Sequence, residues 1–120
     1  DLTAVRSISH RVAIMYLGLV VEFAPTDVVF ENPVHPYTRS LLSSVLYPDP
    51  DAGLPEYSLS GEIPSPINLP TGCNLYSRCP VREDACESWE AEIIPVERDG
   101  GGANHSAACR RLDDILAGRA

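Results

Sequence analysis

The sequence predicts an α+β chain: a short helix, a β-hairpin and two further helices, followed by a small irregular segment held together through cysteine. Three observations carry that expectation. Apolar residues recur at three- and four-residue steps near the start (Leu2, Val5, Ile8, Val12), which places them on one helix face. Two apolar runs, Val12 to Leu17 and Leu19 to Ala24, then flank Gly18, the arrangement of a hairpin whose tight turn uses a positive φ at glycine. All four cysteines fall between Cys73 and Cys109, spaced C-x5-C-x6-C-x22-C, in a stretch with little else to build a core from.

The first helix is expected over Asp1 to Ser9 and just beyond. The hairpin's apolar residues run almost continuously instead of alternating, which predicts that it lies against a larger core outside this chain. Pro25 ends it. Thr26 and Asp27 read as an N-cap for a short helix carrying Val28, Val29 and Phe30, which Pro33 terminates. Pro36 suits the first turn of the next helix, where Tyr37, Leu41, Leu42 and Val45 form an apolar stripe that packs on the preceding elements. Pro48 to Pro55 reads as a linker, dividing the chain into 1–47 and 48–120. A short strand through Tyr57 to Ile63 and the extended run PSPINLP follow. VREDACESWE offers one or two helical turns, Asp99 to Gly102 a glycine-rich loop, and LDDILAGRA a frayed closing helix.

Composition excludes several functions. A net charge of -8, with nine cations scattered among seventeen acids, argues against nucleic acid as a partner. All nine cations are Arg, so the chain holds no phosphate-loop lysine and no Schiff-base lysine. No signal peptide and no long apolar run appear. The opening on Asp1, already inside a structured element, reads as a piece of a longer protein whose chemistry lies upstream. Glu83 with Asp84, and Asp113 with Asp114, read as solvated faces, because neighbours in sequence diverge on a helix. Asn104-His105-Ser106 matches a glycosylation acceptor, a triplet common by chance.

A segment this poor in aliphatic residues needs a crosslink, and three kinds fit four cysteines. Two disulfides would contribute roughly 2 to 4 kcal/mol each but persist in oxidising compartments, for which nothing in the sequence speaks. A structural zinc site is worth on the order of 10 kcal/mol. Zinc knuckles, however, place two ligands two to four residues apart, and no cysteine pair is that close. His105, four residues before Cys109, offers an imidazole in place of one thiolate, but its Gly, Asn and Ser neighbours read as surface. An iron-sulfur cluster is larger and accepts thiolates from well-separated loops, and Cys79-Pro80 is a junction found beside some cluster ligands. Spacing alone leaves cluster and zinc level.

The order of motifs resembles the C-terminal part of an oligopeptide/dipeptide ABC-transporter ATP-binding subunit. The matching residues are those from Asp1 to Val45, including NPVHPYTRSLL, then LSGEIPSPINLPTGC, then C-x5-CP-x5-C and the late Cys109. The resemblance implies that 1–47 ends a P-loop ATPase nucleotide-binding domain and begins the extension helices, and that 48–120 is the cysteine-rich extension. It implies a 4Fe-4S cluster on Cys73, Cys79, Cys86 and Cys109, with zinc as the alternative. ATP and Mg would be bound upstream. The catalytic motifs also lie upstream, including a switch histidine directly before an Asp-Leu pair like Asp1-Leu2, so no catalytic residue transfers to this chain and His10 reads as an exposed linker residue. His35-Pro36-Tyr37 matches the family's label, with His35 and Pro36 starting a helix and Tyr37 packing by its ring. The partners implied are permease subunits, a second ATP-binding subunit and, indirectly, a peptide-binding protein. The place implied is the cytoplasmic face of the inner membrane. Asn74, Leu75, Tyr76 and Ser77 depart from the family's basic-aromatic-His-Pro run, which leaves the thiolate count unaffected. The rival reading is a free-standing zinc-stabilised interaction module without ATPase activity.

Overall fold

The computed structural model describes residues 2–46, 59, 61, 63, 67, 72–96 and 104–118. Helix α1 (Leu2–Ile8) leads into a hairpin of β1 (Arg11–Tyr16) and β2 (Leu19–Pro25), followed by α2 (Thr26–Glu31) and α3 (Pro36–Leu46). A 3-10 turn (Asp84–Glu87), two short strands β3 (Ile94–Pro95) and β4 (Ser106–Ala107), and α4 (Leu112–Leu116) complete the described elements. The four strands form one antiparallel sheet in the order β1-β2-β4-β3. One sheet thus carries strands from both 1–47 and 48–120. The linker from Pro48 to Pro55 and the glycine-rich loop at 99–102 lie outside the described residues, as does most of the strand expected over 57–63.

The hairpin turn uses positive φ at two residues, Leu17 (50°) and Gly18 (80°), the pattern of a two-residue turn that matches the twist of the flanking strands. Burial along β1 alternates strictly, with Val12, Ile14 and Tyr16 inward. Within this chain one face of the hairpin is covered, while Met15, Leu19 and Phe23 stand exposed on the other. The register slips between Ile14 and Met15, so Val20, Val21 and Glu22 oppose only two residues. Such a bulge lets two consecutive residues face inward, and Val21 and Glu22 are both buried.

Inward residues of the hairpin pack on α2 and α3 in a cluster of Val12, Ile14, Tyr16, Val29, Phe30 and Leu42. Burying each aliphatic side chain contributes about 1.5–3 kcal/mol before ordering costs. Val5 of α1 joins this cluster, but Ile8 is 80% exposed, so the predicted helix face is only partly used. The Thr26 hydroxyl does not cap α2. It donates to the Ser9 carbonyl at 2.7 Å while its amide donates to His10, tying α2 to the α1–β1 connection. His10 itself is exposed, as read from the sequence. A second cluster joins Val34, Val96, Ala107, Cys109, Leu112 and Ile115. The closing helix, expected to fray, is therefore anchored by Leu112 and Ile115.

Candidate functional site: four thiols at the seam of two clusters

The turns from Gly72 to Cys79 and the 3-10 turn bring the first three cysteines together. The Cys73 amide donates to the Cys86 carbonyl at 3.1 Å, the Cys79 amide to Leu75 at 2.9 Å and the Cys86 amide to Glu83 at 2.9 Å. Gly72 makes the approach possible: its φ is +74°, and a Cβ there would strike the Glu87 carbonyl oxygen. Cys73 and Cys79 pack on the first hydrophobic cluster, whereas Cys109 belongs to the second. The seam between the clusters is a cavity lined by all four cysteines together with His35, Pro36, Arg82, Arg110 and Arg111.

All four cysteines are free thiols. Burial pushes Cys79 up to about 11 and Cys109 up to about 12, and it raises Cys73 as well. Backbone amides oppose this by donating to sulfur: Leu75 and Tyr76 to Cys73, Val81 to Cys79, and Arg111 to Cys109. Amides aimed at sulfur favour the thiolate form that a metal requires. Among the described residues no carboxylate lines the cavity, and the thiols that do are the soft donor set that suits zinc or an iron-sulfur cluster. Among the described residues, no group of three or more His, Cys, Asp or Glu side chains converges closely enough to hold a single ion.

Cross-braces lock the late cysteine to the early loops. Glu83 pairs with Arg110 at 2.6 Å and with Arg111 at 3.1 Å, and Arg111 also reaches the Val81 carbonyl at 2.8 Å and Asp114 at 3.2 Å. Glu83 and Asp114, read from sequence as solvated carboxylates, keep side-chain exposures of 41% and 32% and are also partners in this brace. Such exposed pairs add little energy, so their contribution is geometric.

Behind the cavity lies a polar hub that the sequence reading missed. Glu22 is fully buried on β2 and accepts from the His35 amide at 2.9 Å, the Val34 amide at 3.1 Å and the His105 ring at 2.6 Å. Burial alone would raise its carboxyl, but the hydrogen bonds from His105, His35 and Val34 outweigh that and hold it below the usual value. His105 is thus neither a surface residue nor a stand-in for a thiolate: it is 5% exposed and serves Glu22. His35 is 2% exposed; its Nδ1 accepts from the Tyr37 amide at 3.1 Å, which leaves Nε2–H to donate to the Ala108 carbonyl at 3.1 Å. Burial is the main force that lowers His35 to about 4, against the nearby Glu22 charge, so the ring is neutral near pH 7. Tyr37 packs its ring against Tyr16 at 4.8 Å between centroids, as its aromatic character suggests. The signal for the hub was a carboxylate inside an apolar strand, at Glu22 between Val21 and Phe23.

Residues 21–86 match the family model described as oligopeptide/dipeptide transporter, C-terminal region, a span that takes in Glu22, His35 and the first three cysteines. Among curated proteins, a probable peptide ABC transporter ATP-binding protein of Sinorhizobium fredii is 44% identical over 90% of this chain and 31% of its own length. The oligopeptide transport ATP-binding protein OppF of Escherichia coli is 44% identical over 96% of this chain and 33% of its own. A putative peptide import ATP-binding protein of Brucella ovis is 43% identical over 92% of this chain and 33% of its own. The chain spans about a third of the length of these relatives. With more than half of its residues under the family model, the chain belongs to the oligopeptide/dipeptide transporter C-terminal region family.

Proposed function

We propose that the chain is the C-terminal part of the ATP-binding subunit of a peptide-importing ABC transporter, and that its cysteine segment binds a 4Fe-4S cluster through Cys73, Cys79, Cys86 and Cys109. The names and identities of the relatives support the first half. A single observation carries the second: four thiols, three from the turns between Gly72 and Glu87 and one from just after β4, line one cavity. When bound, the cluster supplies crosslinking and one-electron chemistry. The chain's own residues hold the thiols, aim amides at the sulfurs and shield the seam from water with two apolar clusters.

On this reading, 1–47 closes a nucleotide-binding domain and 48–120 is its extension. The two differ in what orders them, yet they share the sheet through β2 and β4. ATP and Mg belong upstream, and the partners are permease subunits and a second ATP-binding subunit at the cytoplasmic face of the inner membrane. No helix among the described residues is long and apolar enough to cross a membrane.

Anaerobically purified full-length protein should be brown, with iron and sulfide each at about four per chain. Colourless protein with one zinc overturns the cluster and favours the zinc-stabilised module. The transporter reading is tested separately by the sequence upstream, where an apolar strand ending in Asp-Glu and a His directly before Asp1 are expected.

A further inference from the structure

Cys73, Cys79 and Cys86 are placed by turns that hydrogen-bond among themselves. Cys109 is not. The whole excursion through β3 and β4 separates it from Cys86; a turn of its own holds it locally, with the Arg111 amide on its sulfur and the Leu112 amide on its carbonyl, and tertiary contacts set where that turn sits. The residue before it is held at both polar atoms: the Ala108 amide donates to the Val21 carbonyl at 2.8 Å, and the Ala108 carbonyl accepts from His35 Nε2–H at 3.1 Å. That carbonyl lies in the peptide plane joining Ala108 to Cys109. Fixing its direction therefore fixes the N–Cα bond about which the Cys109 side chain swings; only rotation about that bond is left to aim the thiol, and the Leu112 amide, bonded to the Cys109 carbonyl at 3.3 Å, restrains it.

His35 is built to hold that plane. Its amide is given to Glu22 at 2.9 Å, its Nδ1 is occupied by the Tyr37 amide, and its ring lines the thiol cavity itself. One tautomer remains, with the proton on the nitrogen that faces Ala108.

We propose that His35 is the positioning residue for Cys109, so that its Nε2–H decides whether the metal group is held by four thiols or by three. The inference rests on the cluster reading above. Without the donor, the Ala108–Cys109 peptide rotates away from the seam, the first three thiols keep their turns, and Cys109 is left as a free thiol beside a cluster bound through the other three.

The test is thiol footprinting of full-length protein reconstituted anaerobically with iron and sulfide. Iodoacetamide labels the accessible thiols, and mass spectrometry locates them. His35→Phe fills the space without a donor, and His35→Gln restores an N–H near the Nε2 position. Wild type and His35→Gln should protect all four cysteines. His35→Phe should protect Cys73, Cys79 and Cys86 while Cys109 reacts roughly tenfold faster, the weight of one buried hydrogen bond. Protection of all four in His35→Phe overturns the inference, as does exposure of all four together, since His35 would then support the whole ring. Equal reactivity of Cys109 in both variants overturns the role of the donor. Wild type open at all four cysteines overturns the cluster reading, and this inference with it.

Discussion

Glu22 and His105, 83 residues apart in sequence, meet at 2.6 Å with side chains 0% and 3% exposed. Both sit beside the β2–β4 pairing, where Glu22 stands opposite Ala107. A buried carboxylate whose acceptors are filled by two amides and a ring is stable only while all of them are present. The pair therefore ties the end of the cysteine segment to the hairpin.

Breaking this contact should be costly. His105→Ala leaves Glu22 with its amides but removes its shortest partner, and Glu22→Ala strands two amides and a ring. Each should destabilise by about 3–5 kcal/mol, and the double variant by much less than the sum. Urea unfolding of the two single variants and the double variant measures the coupling. Additive losses would mean that the two residues act independently.

Stability should also fall in mild acid, with His35 as one cause. Its folded value is lowered to about 4 from an ordinary 6.5, so between those values the unfolded state binds a proton that the folded state refuses. Stability is then complete above about pH 6.5, declines as pH drops toward 4, and flattens below, a loss on the order of 3 kcal/mol. Glu22, held low, contributes stability above its unfolded value that is lost at still lower pH as it takes up a proton. In denaturant titrations from pH 7 to pH 4, His35→Gln should show a shallower slope than wild type. Equal slopes would remove His35 from the account.

Gly72 tests how closely the first and third cysteines must approach. Gly72→Ala places a Cβ against the Glu87 carbonyl and forces alanine to a φ near +74°, strain worth at least about 1–3 kcal/mol. Thermal unfolding should register that loss, together with weaker protection of the Cys73 amide, which bonds to Cys86. An unchanged melting temperature would show that the two turns can separate without harm.

Cys86→Ser separates the metal's role from that of the hairpin. Amides from 73 to 96 and from 104 to 109 should lose protection from hydrogen exchange, whereas β1 and the β1-facing amides of β2 keep theirs, because that ladder is local and has its own apolar cluster. Parallel loss across residues 1–24 would mean that hairpin and cysteine segment unfold as one unit.

The sequence by itself determined the local elements and the inventory of donors. Periodicity and turn chemistry placed α1, the hairpin about Gly18, α2 and α3 within a few residues, and cysteine spacing named the four thiols. Those features depend on neighbours along the chain, and neighbours are what a sequence displays. Only the tertiary structure decided what crosses between distant segments. It paired β4 with β2, turned Glu22 inward at a bulge, and buried His105 where its Gly, Asn and Ser neighbours suggested surface. It also used Thr26 to pin the α1–β1 connection instead of capping α2, and Glu83 to hold two arginines. The deciding partners of Thr26, Glu83 and His105 lie 17 to 83 residues away. The need of a buried polar group for a hydrogen bond is universal, but which distant residue meets it is fixed only when the chain has folded.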